Sequence, residues 1–532
     1  MKVNPKSIWI VSREYAGIAE AGGVKNVTTS LSESLVKNAY DVTVFIPQYG
    51  CSELQNLREY SLLSAVNSVI SIADELYSIA YAQAFAGPVK IILIQSPVFQ
   101  EKTAVYTYTT ADEKKNPIHK RGQGHADSHI MNILFQRAVL EYAVLTHSIS
   151  QIIHCQDASA SMIPVFARED VRLKKLFSDT SCIVTIHNAG PGYHHAFSSI
   201  DEAYRITNLP HHVLMKGMNN HFVEPFILAS KYSLLTTVSP WYADELTDPE
   251  YPFSDGLSFQ FAAGKIQIKG ILNAIDYERY DPEDTEKSLL PVPFSPVKGF
   301  LDGKKEILRL FLKKISQGIH GIIDHENRLS TIEQFGSLST ISQNPVIFSY
   351  HGRIVWQKGL EILAHAARML LTDCKNACFI IIGQGQPEIE QMHIDLSVEF
   401  PGRYLYIRGY ERALARECIA SSDFIVLPSL FEPCGLEDFI AQIYGTLPVA
   451  HAVGGLKKII HEETGFLYDD NSAQGLYSVL KNTAHMYAEQ PDTIRAMQIK
   501  AAQKVREEFT WNTIVPEQYI PLYENLVKSK SQ

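Results

Sequence analysis

A carboxylate stands where an apolar run ends. In FEPCGLEDF (431–439), Glu432 follows FIVLPSL, and the backbone amides of Cys434, Gly435 and Leu436 come next. Amides at the start of a helix favour an anion, while the carboxylate before them can face the cleft. HAVGGLKKII repeats the arrangement one strand later with Gly454 and Gly455. YHGRIVWQKGLEIL sets Arg353 and Lys358 just past a strand and just before a helix, the position from which two cations can clamp a diphosphate. Exposed basic residues usually mark a solvated face, but the apolar neighbours and the glycine after Lys358 favour the clamp. GQGQPEIE, after FIIIG, offers a further ligand-facing loop at Gly383, which a plain turn explains equally well.

The first half of the chain carries its own polar strand ends. SIWIV runs into SREYAGIAEAGGVKNVTTSLSESL, where Gly22 and Gly23 open a helix. Two readings stand: bare backbone for a phosphate or sugar, or glycine needed for close strand–helix packing. No GxGxxG fingerprint is present, so a nicotinamide cofactor is not expected. SQIIH leads into HCQDAS with His154 and Asp157, and SCIVTIH leads into HNAGPGYHH with His187 and Asn188. Polar residues at two strand ends of one sheet belong in one cleft, although each histidine alone reads first as a satisfied structural group. A metal cluster of His187, His194 and His195 lacks the helical ligand spacing, and no metal is expected.

These positions need strands to hold them. Short β-branched runs alternate with amphipathic helical segments, the pattern of parallel strands covered on both faces. SIWIV, DVTVFIP, VKIILI, SQIIH, SCIVTIH and LLTTVS precede residue 240, while VIFSYHG, CFIIIGQG, YLYIRGY, FIVLPSL and LPVAHAV follow 345. An α/β fold with two doubly wound sheets follows. At 532 residues and 45% hydrophobic content, two cores are expected, since cores stop growing near ~250–300 residues. The proline-rich stretch DPEDTEKSLLPVPFSPVKGF marks the division, giving domains at 1–280 and 281–508 and a C-terminal helical segment at 509–532 that could pack back on the first.

The 48 basic against 58 acidic residues, net −10, argue against a nucleic-acid partner. Seven sparse cysteines fit a reducing compartment, and the closest pair, Cys374 and Cys378, lacks a second pair for zinc. With no signal peptide and no apolar stretch long enough for a membrane, a cytoplasmic protein is expected.

The motifs together resemble the bacterial-type glycogen and starch synthases, retaining glycosyltransferases of the GT-B fold. EAGGVKNV, HCQD, TIHN, TTVSPWYADEL, ILNAIDYERYDP, GRIVWQKGLEIL, PSLFEPCGLEDFIAQIYGTLPVAHAVGGL and TGFLY follow the family's order over nearly the whole chain. The resemblance implies two Rossmann-like domains with a deep cleft, a nucleoside-diphosphate glucose donor held mainly by the second, and an α-1,4-glucan acceptor held mainly by the first. It assigns Arg353 and Lys358 to the diphosphate, so that no metal or other cofactor is needed, and Glu432 to the donor glucose. It brings His187 to that sugar, and gives Asp157 to acceptor binding or site shaping. Gly22, Gly23, Lys25, Gly383, Cys434, Gly435, Leu436, Gly454 and Gly455 fall on the donor side; Glu20, Asn26, His154, Asn188 and Asn273 fall on the acceptor side or cleft. It also implies acceptor attack from the face the diphosphate leaves, a phosphate oxygen taking the proton.

The chain departs from the pattern around this cleft. Glu20 stands for the usual lysine, Asn26 for aspartate, Gln156 for a histidine, Ala274 for glycine and Glu437-Asp438 for threonine-glutamine. A like charge ~4 Å from a phosphate costs a few kcal/mol at an effective dielectric near 20, so either Lys25 replaces the lost cation or Glu20 binds a hydroxyl. Two other readings are a GT-B transferase with a different acceptor, and a weakened glucan-binding regulatory protein.

Overall fold

A computed structural model describes residues 6–319, 321–325, 328–339 and 344–531. Its contacts divide the chain into two units, one of residues 1–273 with 511–532, the other of residues 274–510.

The first unit holds β1 (Ser7–Val11), β2 (Asp41–Pro47), β3 (Arg58–Ile72), β4 (Glu75–Ala86), β5 (Val89–Gln95), β6 (Ile152–Gln156), β7 (Ser181–Ile186), β8 (Met218–Asn219), β9 (Phe222–Val223), β10 (Leu234–Thr237) and β11 (Ile268–Gly270). Nine of them form one sheet in the order β11-β10-β7-β6-β1-β2-β5-β4-β3. From β11 to β5 every pairing is parallel. All residues of β1, β6 and β7 are buried, as expected of apolar runs covered on both faces.

The antiparallel hairpin β3–β4 at the sheet's edge was not among the runs read from sequence. Its turn residues, Ala73 and Asp74, have φ of 52° and 65°, a left-handed pair without the glycine or asparagine that usually signals such a turn. The C-terminal helix Ile520–Ser531 lies in this unit, where Tyr523 Oη bonds His154.

The second unit holds β12 (Gly321–His325), β13 (Arg328–Ser337), β14 (Val346–His351), β15 (Ala377–Gly383), β16 (Tyr404–Arg408), β17 (Phe424–Leu427), β18 (Leu447–His451) and β19 (Phe466–Tyr468), ordered β12-β13-β16-β15-β14-β17-β18-β19. The pairs from β16 to β19 are parallel. Phe348 stacks on Phe379 at 5.3 Å and on Phe424 at 5.4 Å, fastening β14 to both neighbours. Such contacts contribute ~0.5–1.5 kcal/mol each beyond area burial.

Counted over their parallel strands, both sheets reverse direction once. In the first, the chain builds outward from β1 to β2 and β5, then returns to lay β6 beside β1; in the second, it runs from β14 to β15 and β16, then returns to lay β17 beside β14. Loops leaving the carboxyl ends of strands at such a reversal diverge and leave room for a ligand. The reversals therefore select β1/β6 and β14/β17.

Candidate functional site

In the second unit, the loops after β14 and β17 are stitched together. A Cβ at Gly359, whose φ is 67°, would lie 2.0 Å from the Pro428 carbonyl oxygen, so only glycine permits this approach. Leu430 N–H donates to the Gln357 carbonyl at 2.9 Å, and Gln357 Nε2 donates to the Phe431 carbonyl at 3.3 Å. The result brings together two residues singled out from sequence: Lys358 Nζ donates to the Glu432 carboxylate, which also accepts from Ser429 Oγ at 3.1 Å. Burial pushes the Glu432 carboxyl upward, but the Lys358 ammonium and its hydrogen bond, together with the Ser429 hydroxyl and the Lys458 charge, hold it below the ordinary value. Arg353 is exposed beside them, with Nη2 on Gln357 Oε1 at 3.3 Å.

Gly383 and Gly385 face this loop, and a Cβ at either would come within 2.0 Å of the Gly352 or Ile354 carbonyl oxygen. Packing therefore accounts for both glycines, and the Gly385 amide donates to Glu390 Oε1 at 2.6 Å.

Cys434, Gly435 and Leu436 precede a seven-residue helix, Glu437–Ile443. Sequence reasoning missed Lys458, the second lysine of GGLKK. Its Nζ donates to the carbonyls of Cys434 at 2.6 Å, Gly435 at 3.0 Å and Gly455 at 3.1 Å, and lies 2.9 Å from Asp438 Oδ1. Burial lifts the Asp438 carboxyl to about 6 against the pull of that ammonium. Gly455 N–H donates to the Glu432 carbonyl at 2.9 Å, and a Cβ at Gly455 would lie 2.2 Å from the Cys434 carbonyl oxygen. Gly454 has φ 42° and starts the short 3₁₀ turn that carries Lys458.

In the first unit, the loop after β1 is closed by its own carboxylate. Glu14, also missed from sequence, accepts from the amides of Ala21 at 2.9 Å and Gly22 at 2.6 Å. Glu20 pairs with Lys25 at 2.5 Å and accepts the Gly17 amide at 2.7 Å. Gly22 and Gly23 are exposed; a Cβ at Gly23 meets nothing within 4 Å, and its φ is −77°. Close packing does not require glycine at Gly23, while the Gly22 amide is already taken by Glu14. Asn26 lies in the helix Val24–Lys37 that follows.

At the end of β6, Asp157 has φ 64° and ψ 178°, a region almost confined to glycine. That backbone aims its Oδ1 at the His187 amide, 2.9 Å away, and the Asn188 amide also bonds the carboxylate. Burial nevertheless pushes the Asp157 carboxyl up to about 7. His187 Nε2 donates to Gln156 Oε1 at 2.7 Å, which leaves Nδ1 as an acceptor; burial lowers this ring to about 4, so it is neutral. Asn188 Oδ1 accepts the Gly190 amide at 2.7 Å. Asp157, His187 and Asn188 are thus brought together.

His154 is placed elsewhere. It lies within β6, with Nδ1 on Tyr523 Oη at 2.9 Å, Nε2 on Thr185 Oγ1 at 2.6 Å, and no solvent exposure. Asn273 is buried, its amide on the Val238 carbonyl at 3.1 Å. His194 faces Glu224 at 3.0 Å and the Ala189 carbonyl at 2.6 Å; burial opposes its charge, but the Glu224 bond raises its pKa. His195 is neutral, pushed down to about 3 by burial. Among the described residues no group of three or more His, Cys, Asp or Glu is arranged to hold a metal, and no helix is long and apolar enough to cross a membrane.

A third missed residue is Arg13, at the exit of β1. Its buried guanidinium bonds Tyr49 Oη at 2.9 Å, Asn132 Oδ1 at 3.0 Å and the Val105 carbonyl.

Comparison with known proteins adds to this geometry. The starch synthase catalytic domain family matches residues 7–261, and glycosyl transferases group 1 matches residues 345–484. A glycogen synthase of Thermodesulfovibrio yellowstonii is 25% identical over 98% of this chain and 98% of its own length. One from Exiguobacterium sibiricum is 27% identical over 98% and 99%. Among solved structures, the catalytic domain of starch synthase IV from Arabidopsis thaliana, bound to ADP and acarbose, aligns with a TM-score of 0.78 and 22% identity, covering 98% of this chain and 99% of that one.

Proposed function

We propose that this member of the glycogen and starch synthase glycosyltransferases moves glucose from a nucleoside-diphosphate glucose, ADP-glucose favoured, to the non-reducing end of an α-1,4-glucan in the cytoplasm, with retention of configuration. One observation carries the reading: at the β14/β17 reversal, an ionised Glu432 lies against Lys358, with Arg353 exposed beside them. Breaking the bond between the anomeric carbon and the diphosphate puts positive charge on the sugar and negative charge on the leaving group. A site for that step needs stabilisers of both signs, fixed in advance.

In this reading, Lys358 and Arg353 take the diphosphate and Glu432 steadies the glucose. The amides of the Cys434–Leu436 loop and the GGL turn hold the anionic tail. A phosphate oxygen receives the acceptor hydroxyl's proton as the diphosphate leaves from the same face. Taken by itself, the first unit carries hydroxyl-directed groups in neutral His187, Asn188 and the Gly23 backbone, with Asp157 shaping the turn. The ADP and acarbose bound to the Arabidopsis starch synthase support a nucleotide and a glucan as the two ligand classes.

A second reading is favoured by the Glu20–Lys25 pair and by Glu14's hold on two loop amides, which remove anion-binding capacity from the first unit. It makes the chain a glucan-binding protein with weak transfer. Labelled ADP-glucose and UDP-glucose, each incubated with glycogen, separate the two. Incorporation from either donor, lost in Glu432→Gln, supports transfer; glycogen binding without incorporation overturns it.

A further inference from the structure

We propose that Lys458 is a positioning residue for the loop that carries Glu432, acting through the backbone of residues 432–436, and this rests on the reading of Glu432 given above. Lys458 and Asp438 have side-chain exposures of 1% and 0%, so neither is a solvated surface charge. The ammonium sits where three carbonyls converge, two from the loop after β17 and one from the turn after β18, with the Phe439 ring 4.4 Å away.

A peptide is planar and trans, so its N–H points opposite its C=O. Drawing the Cys434 and Gly435 carbonyls onto Lys458 therefore turns the Gly435 and Leu436 amides away from it. Gly455, whose carbonyl Lys458 also holds, donates its amide to the Glu432 carbonyl. The position and orientation of the Glu432 backbone are thus tied to one buried cation.

Fold stability alone is a weak reason to keep such a pair. Taking two charges out of water offsets most of their attraction, and apolar replacements of similar volume are often neutral. Asp438 supplies the compensating charge, and the carbonyl contacts supply the geometry. Removing Lys458 alone strands a buried carboxylate as well as three carbonyls, whereas removing both charges leaves only the neutral carbonyls unpartnered and releases the loop.

The test compares wild type, Lys458→Met and the double variant Lys458→Met/Asp438→Leu. It measures thermal melting, glucose transfer to glycogen from labelled ADP-glucose and UDP-glucose, and hydrogen exchange over residues 429–442. The single variant is expected to lose both melting temperature and activity. The double variant should regain melting to within about 4 °C of wild type. Its kcat should stay about ten- to a hundredfold down, with KM for the donor changed by less than about threefold. Exchange over the loop should be at least about tenfold faster, since its tethers are gone.

Wild-type kcat and wild-type exchange in the double variant would overturn the proposal. If wild type transfers from neither donor while the double variant's loop still loosens, the donor reading fails and the positioning role stands.

Discussion

The two sheet reversals use the same syntax, a buried strand running into a glycine-bearing loop and then a helix, with opposite internal polarity. After β1 the loop folds around a carboxylate: Glu14 takes the amides of Ala21 and Gly22, and Glu20 takes Gly17's. After β17 the loop folds around an ammonium: Lys458 takes the carbonyls of Cys434, Gly435 and Gly455. A loop wrapped on a carboxylate has committed its donors inward. One wrapped on a lysine has committed its acceptors and turns amides the other way. The sign of the buried group thus sets which loop can receive an anion, whatever the glycine count.

The largest effects should fall on the second unit. Glu432→Gln and Lys358→Ala are each expected to lower transfer about 10²–10³-fold, the usual loss when a preorganised stabiliser of developing charge is removed. Binding of ADP by calorimetry should weaken in Lys358→Ala and change little in Glu432→Gln. A Lys358→Ala enzyme with wild-type kcat and ADP affinity would break the assignment of anion binding to this loop.

Next comes Asp157, where the first unit keeps a carboxylate on amides at a strand end. Its backbone conformation costs ~1–3 kcal/mol in a non-glycine residue. Asp157→Gly should therefore recover about what its lost hydrogen bonds cost, leaving melting nearly unchanged while kcat/KM falls about tenfold. The ionised carboxylate is the better acceptor for the His187 and Asn188 amides, so activity should rise with pH through about 7. Asp157→Asn should flatten that limb. Stability should run the other way. Burial raises the folded-state value from 3.8 to about 7, so this group's contribution is fully present below 3.8 and lost as pH climbs toward about 7. The difference in melting between wild type and Asp157→Asn should therefore shift against wild type as pH climbs from 4 to 8.

A smaller effect, confined to stability, is expected at His154. Both ring nitrogens are engaged, Nδ1 by Tyr523 369 positions away in sequence. His154→Phe takes the ring from the Tyr523 hydroxyl and leaves Thr185 Oγ1 with only Thr236, and should cost ~1–3 kcal/mol, with KM for donor and glycogen unchanged. A shift in glycogen KM with unaltered melting would return His154 to the ligand site.

This contrast marks what the amino-acid order could reveal. The parallel strands were legible because uninterrupted runs such as SIWIV and FIVL are buried on both faces. The neighbourhood of Glu432 and Lys358 was legible because both follow strand ends, and the reversal of strand order lays those ends side by side. His154 occupies an equivalent strand-end motif, but a helix from the far end of the chain claims its ring. Glu14 and Lys458 were illegible for another reason. Apart from the Lys458–Asp438 pair, their partners are backbone groups of loops, and no residue pattern encodes which way a peptide plane turns.

The smallest effect tests the first unit's electrostatics directly. Glu20, where the resemblance in sequence calls for a cation, is neutralised by Lys25 in a pair whose side chains are 13% and 21% exposed. Partial exposure makes such a pair weak, typically under ~1 kcal/mol. Glu20→Gln leaves the Lys25 ammonium unpaired, which should improve ADP affinity by about two- to fivefold at low ionic strength. That gain should vanish near 0.5 M salt, where the Debye length shrinks toward ~4 Å. Calorimetry at both salt concentrations measures it. A gain that survived high salt, or exceeded the loss in Lys358→Ala, would place the anion-binding charge with the glycine loop after β1 and reverse the division of labour drawn from Glu14 and Lys458.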